Sequence, residues 1–179
     1  MGIRTSQNKE ILLDREKIEQ RVSELADEIS GDYENSTLLI VGVLKGAFVF
    51  LADLIRQLSI PCEVDFVRLA SYGTGTVSSG NVALVKDLEM SIRGRNVLIV
   101  EDIIDTGLTI VKLMDILCQR KPLSIRVCAL LDKPERRKEP FVADYVGFAI
   151  EDVFVVGYGL DCSEKDRYLP DIYVIRDKP

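Results

Sequence analysis

Two stretches, 37–44 (TLLIVGVL) and 96–101 (NVLIVE), constrain the fold of this chain more than anything else in it. Both are apolar at nearly every position. A strand with one wet face alternates polar and apolar residues, whereas a near-continuous apolar run marks a strand covered on both faces. Around these runs the spacing changes. Across 14–30, Ile18, Val22, Leu25 and Ile29 recur at helical intervals behind Asp14, a residue suited to an N-cap. Segments 47–58 and 108–120 repeat the helical pattern. Segments 62–70, 82–85, 125–131, 145–150, 154–158 and 172–175 read as further strands. Apolar strands alternating with helices predict an α/β fold, a mostly parallel twisted sheet flanked by helices with right-handed crossovers. Ligands of such sheets bind beyond the carboxyl ends of the strands, at the switch point. The loops leaving Leu44, Val100 and Leu131 all carry charges, and function is expected there.

The chain has 179 residues, 47% hydrophobic and 29% charged, which suits one globular domain. Its net charge of −6 opposes a broad nucleic-acid or anionic-membrane surface and leaves room for a local basic pocket. No apolar run reaches the roughly 18 residues of a membrane span, and the first ten residues lack the apolar stretch of a signal peptide. Met1, Gly2 and Ser6 fit a myristoylation pattern that many unmodified chains share. Cys62, Cys118, Cys128 and Cys162 show no paired short spacing, which suggests neither a zinc site nor a disulfide framework, and at least two sit in apolar runs and read as buried thiols. With no histidine present, any general base is a carboxylate or a lysine, and any essential metal is a hard ion held by oxygen.

The segment 97–110 (VLIVEDIIDTGLTI) sets Glu101 and Asp102 where a buried strand stops, then Asp105, Thr106, Gly107 and Thr109 at the start of a helix. A helix N-terminus offers unpaired N–H groups and the positive end of the helix dipole to a phosphate. Gly107 lets the backbone approach the ligand, and the Thr106 and Thr109 hydroxyls can donate to phosphate oxygens. The acid pair can sit over sugar hydroxyls or hold a hydrated Mg²⁺. Taken alone, D-T-G is better explained by an N-cap with Glu101 and Asp102 in a solvated turn; strand, acid pair and D-T-G-x-T together are more specific. Neither the lysine of a Walker loop nor a dinucleotide fingerprint is present.

This stretch resembles the phosphoribosyl-diphosphate (PRPP) binding motif of type I phosphoribosyltransferases. Nearly the whole chain resembles the hypoxanthine–guanine members of that family, through VLKGAFVF (43–50), SYGTGT (71–76), LLDKPERR (130–137), FVVGYGLD (154–161) and Arg167. The resemblance implies a type I phosphoribosyltransferase fold in a single domain, 1–179. Its core covers about 36–150, and a small hood is built from about 1–35 and 151–179. It further implies purine salvage: Mg²⁺-dependent transfer of the 5-phosphoribosyl group from PRPP to hypoxanthine or guanine, giving IMP or GMP and pyrophosphate. The partners implied are these small molecules and copies of the chain itself, as a homodimer or homotetramer. The location implied is cytoplasmic, with no nucleic acid and no membrane involved.

By that resemblance Glu101 and Asp102 bind the ribose hydroxyls, with magnesium bridging hydroxyls and diphosphate, and Asp161 meets a second Mg²⁺. Asp105, Thr106, Gly107, Leu108 and Thr109 cradle the 5′-phosphate, and Asp105 is also the general base toward the purine N7. Lys45 and Gly46 resemble the pyrophosphate loop, where the peptide before the lysine can be cis, and Arg167 supplies a second cation. Phe154 stacks on the purine, Val155 addresses its exocyclic position and Lys133 donates to the 6-oxo group. Ser71 and Tyr72 match working residues of a lid across 71–81. Read without the resemblance, 154–160 is core strand, KPERRK is a solvated basic turn and 71–81 is a hairpin loop. The chain departs from family patterns at Leu108, where some relatives carry a polar or basic residue, at Ala47 in place of a glycine, and at Cys162 in place of an aromatic. Two alternatives remain: an enzyme preferring xanthine or a single oxopurine, and a PRPP-sensing nucleic-acid binder on the same fold. The net charge and the retained Asp105, Lys133 and Asp161 oppose the second.

Overall fold

In the computed structural model, which describes residues 9–71 and 82–176, the two apolar runs lie side by side as β2 (Leu38–Leu44) and β5 (Asn96–Ile104). They form the middle of a six-stranded sheet, completed by β3 (Cys62–Ser71) and β4 (Val82–Lys86) on one side and β6 (Ser124–Asp132) and β7 (Tyr145–Ala149) on the other. Every pairing is parallel except that of β3 with β4. Strand geometry explains why an unbroken apolar run was needed. Leu38, Ile40, Leu98 and Val100 point into one buried layer, and Leu39, Val41, Val97 and Ile99 into the other. The first layer is closed by α1 (Arg15–Asp32) and α2 (Phe48–Gln57), the second by α3 (Leu108–Cys118). Each buried leucine or isoleucine contributes about 1.5–3 kcal/mol of transfer free energy.

Asp14 caps α1, accepting the Lys17 N–H at 2.9 Å, and the expected stripe of Ile18, Val22, Leu25 and Ile29 is buried. From the same helix Arg21 donates to the carbonyls of Val146 and Gly147 on the edge strand β7. Those edge carbonyls are thereby satisfied, which blocks pairing with another strand.

The terminal segments make a separate three-stranded antiparallel sheet in the order β1 (Lys9–Leu13), β9 (Ile172–Ile175), β8 (Val155–Val156). β1 was not expected from the sequence, because five residues with mixed burial carry too little pattern. The strand expected over 154–158 shrinks to two residues. Gly157, Tyr158 and Gly159 all take positive φ (100°, 50° and 99°), which no strand can accommodate. β5, by contrast, runs past Glu101 to Ile104, because Glu101, Ile103 and Ile104 keep pairing with Ala129, Leu131 and Asp132 of β6. Among the described residues no helix is long and apolar enough to cross a membrane, and the four cysteines are free thiols.

One buried carboxylate secures the β3–β4 side. Asp65 accepts the N–H groups of Phe66, Glu89 and Met90 at 2.7–2.9 Å and has the Lys86 ammonium 3.8 Å away. Burial opposes its ionisation, but the three N–H groups and the lysine outweigh burial and hold the carboxyl below its usual range. A lowered folded-state pKa gives stability that is present above the unfolded value, about 3.9, and is lost as pH falls through the folded one. Asp65→Asn is therefore expected to cost about 1–3 kcal/mol at pH 7, with the difference from wild type narrowing below about pH 4. Thermal unfolding of both proteins across that range checks it.

Candidate active site

Leaving β2 the chain passes through α2 to β3 on one side of the sheet; leaving β5 it passes through α3 to β6 on the other. The crevice between β2 and β5 is thus the switch point, and both strands present their carboxyl ends to it. The Leu44–Lys45 peptide there is cis. It leads to Gly46, whose α-carbon faces the Asp102 carboxylate so closely that a methyl group would overlap it. A methyl group on Gly159 would in turn overlap the Gly46 carbonyl. Three loops, after β2, within β5 and after β8, therefore meet at a point where only hydrogen fits. Overpacking of this kind costs about 1–3 kcal/mol. Gly46→Ala is expected to lower the unfolding midpoint accordingly. Gly31→Ala, on α1 with no atom within 4 Å, is expected to gain about 0.5–1 kcal/mol, and comparison of the two melting curves tests the contact.

Glu101 is buried beside Asp102, whose N–H it accepts at 3.2 Å. Burial pushes the Glu101 carboxyl well above the usual range; the charge of Asp102 and a side-chain hydrogen bond with it add to the rise, and the backbone bond offsets only part. Burial of this carboxyl is unfavourable to its charge, and a cation or a hydrogen-bond donor at the edge would relieve it. Among the described residues no three acidic or thiol side chains converge closely enough to hold an ion unaided. The donor set therefore fits a hard ion that completes its shell from a ligand's oxygens.

Beyond the acid pair, residues 103–107 turn into α3, with Gly107 at φ 83°. Glu101, Asp105, Thr106, Gly107, Thr109 and neighbouring isoleucines line a small cavity of about 80 Å³ against the helix N-terminus. The segment after β6 holds this turn from behind. Lys138 donates its N–H to the Thr106 carbonyl at 2.9 Å, and Arg137 donates to the Asp105 carbonyl at 2.6 Å while pairing with Asp132. The Asp105 carboxylate faces the other way and takes Arg136 Nε at 2.9 Å; the same guanidinium donates to Asp152 at 3.2 Å.

Lys133 is buried at the end of β6, and its ammonium donates to the Val153 carbonyl at 2.7 Å. Phe154 follows, 37% exposed, and Val155 is buried. Farther along, Asp161 pairs with Arg167 at 2.7 Å, and Glu164 links Arg167 to Lys45. A cavity of about 800 Å³ is lined by β1, β9 and 148–154, with Asp152, Val153 and Phe154 in its wall.

Lys45, Gly46, Glu101, Asp102, the turn Asp105–Thr109 and Lys133 thus gather on one sheet edge. Phe154 connects to it through the Val153–Lys133 bond, and Asp161 and Arg167 through Glu164. Leu108 opens α3. Ser71 ends β3, but its side chain, Tyr72 and the expected lid through residue 81 lie outside the described residues. Four residues that sequence reasoning passed over complete the charge pattern: Arg136, Arg137, Asp152 and Glu164. The doublet Arg136–Arg137, three residues beyond Lys133, was a usable signal; Asp152 and Glu164 carried none.

Residues 8–163 match the phosphoribosyl transferase domain family. The chain is 49% identical over 168 residues to a hypoxanthine-guanine phosphoribosyltransferase of Aquifex aeolicus, covering 93% of this chain and 94% of that protein. It is 48% identical to the enzyme of the same name from Bacillus subtilis, over 94% of this chain and 93% of the relative. A crystal structure of a hypoxanthine-guanine phosphoribosyltransferase from Bacillus anthracis superposes with a TM-score of 0.90 at 48% identity, covering 93% of this chain and 98% of that one.

Proposed function

The chain belongs to the phosphoribosyl transferase family, with the type I fold, and we propose that it is a purine-salvage enzyme joining the 5-phosphoribosyl group of PRPP to hypoxanthine or guanine. The observation that carries this reading is the convergence at one switch point of an acid pair, an N-terminal phosphate turn and a buried lysine beside a half-exposed phenylalanine. In the reaction a bond forms between the purine N9 and the sugar's anomeric carbon. The bond from that carbon to the diphosphate breaks, pyrophosphate leaves with the electron pair, and the purine loses a proton.

The turn Asp105–Thr109 holds the 5′-phosphate against α3. Arg137 and Lys138 fix two of its carbonyls from behind, so its N–H groups are aimed before the ligand arrives. Glu101 and Asp102 take the ribose hydroxyls, and together with Asp161 would hold Mg²⁺, which when bound neutralises charge on the leaving diphosphate. Lys45 and Arg167 bind that diphosphate. Asp105 accepts the proton from the purine N7, once one of its oxygens is released by the half-exposed Arg136. Phe154 stacks on the base, with Val155 beside it. Lys133, held in place by the Val153 carbonyl, donates to the 6-oxo group, where the amino group of adenine would meet an ammonium. The substrates are small soluble metabolites, which accords with a cytoplasmic location. Exposed Phe48 and Tyr168, beside the diphosphate cations, supply an apolar face for the dimer or tetramer we assign.

With PRPP and Mg²⁺, pyrophosphate release is expected on adding hypoxanthine or guanine; silence with both bases would sink the assignment. Asp105→Asn should lower kcat about 10²–10⁴-fold while PRPP still binds, as the loss of a general base requires. Lys133→Ala is expected to narrow the preference for hypoxanthine over adenine by at least about tenfold in kcat/KM, the effect of leaving a buried polar contact unmade. Competition assays with the two bases read this directly.

A further inference from the structure

Lys45 and Arg167 already share an anion in this structure. Glu164 Oε2 accepts from Lys45 Nζ at 2.8 Å and lies 3.5 Å from an Arg167 terminal nitrogen. That nitrogen is 2.7 Å from Asp161 Oδ1, and Asp161 Oδ2 accepts the Glu164 N–H at 2.8 Å. The turn is folded tightly to achieve this, with Ser163, Glu164 and Asp166 all at positive φ. Glu164 is a glutamate facing two cations, and an ordinary carboxyl is an anion near neutral pH.

A carboxylate and a diphosphate cannot both keep these donors, because two anions on the same cations repel. We propose that Glu164 is an affinity-setting residue, a tethered counter-anion that holds the diphosphate cations until substrate displaces it and that competes with pyrophosphate for them after the reaction. The proposal rests on the assignment of Lys45 and Arg167 to the diphosphate. The pair is exposed, 45% for the Lys45 side chain and 64% for that of Glu164, so the carboxylate is a weak competitor. A diphosphate of higher charge displaces it readily. Its return nonetheless opposes retention of the product, and an effect of this kind falls mainly on dissociation.

Titration of inorganic pyrophosphate with Mg²⁺ into wild type, Glu164→Gln, Lys45→Ala and the double variant tests this by calorimetry. Glu164→Gln is expected to tighten pyrophosphate binding about two- to fivefold, the range of an exposed ion pair, with a matching fall in the product-inhibition constant and an unchanged melting temperature. Lys45→Ala is expected to weaken binding, and in that background the gain from Glu164→Gln should shrink. If Lys45→Ala weakens binding but Glu164→Gln leaves it unchanged or weakens it too, Glu164 is no competitor and the proposal falls alone. If pyrophosphate does not bind wild type, or Lys45→Ala leaves its affinity intact, the assignment of the diphosphate site fails and takes the proposal with it.

Discussion

The site depends on a carboxyl group buried at the end of the central strand. Glu101 lies where β5 is enclosed by β2 on one side and β6 on the other, so water cannot solvate its charge. Asp102 occupies the space that any side chain at position 46 would need. The two facts are linked, because β2 and β5 are neighbours in parallel and their carboxyl ends must meet. An apolar strand pair thus delivers two carboxyls to one place, and the buried one, Glu101, is costly to ionise there. A ribose hydroxyl or a cation bound there, as the proposed function requires, would relieve that cost.

Around this centre the functional charges are satisfied by the protein itself. Asp105 is paired with Arg136, Lys45 with Glu164, Arg167 with Asp161, and Lys133 donates to Val153. Binding is therefore an exchange of partners. Each internal bond surrendered is subtracted from the ligand's affinity.

Much of this could be read in the sequence, and the part that could not has definite causes. β2 and β5 announced themselves because burial on both faces writes itself into consecutive residues. The α1 stripe did so because 3.6-residue periodicity survives over 18 residues. The turn from Asp105 to Thr109 was legible as a helix start, since a glycine and hydroxyl residues coincide there. β1 was not legible, because it is held by pairing with β9, a partner more than 150 residues away, rather than by its own pattern. The end of β5 was misjudged for a related reason. Charged residues usually close a buried strand, but here pairing with β6 carries the ladder on to Ile104. The roles of Lys133, Phe154 and Asp161 came from family resemblance alone. Glu164 escaped because an ion pair with Lys45, 119 residues away, leaves no mark on either segment, whereas the Arg136–Arg137 doublet was visible.

Where the site is rigid and where it yields follows from burial. The phosphate turn is held by Arg137 and Lys138 through backbone carbonyls, and the Arg137–Asp132 pair behind it is mostly shielded from water. Breaking these contacts would strand buried polar atoms, so the cradle keeps its shape whether or not a phosphate is present. The pairs that the proposed mechanism would break, Arg136 to Asp105 and Glu164 to Lys45, lie at the surface, where solvent replaces a lost partner at little cost. The fold thus places shielded hydrogen bonds under the 105–109 turn and exchangeable ion pairs on Asp105 and Lys45, the arrangement that the proposed roles of a fixed phosphate cradle, a proton acceptor and a diphosphate cation require.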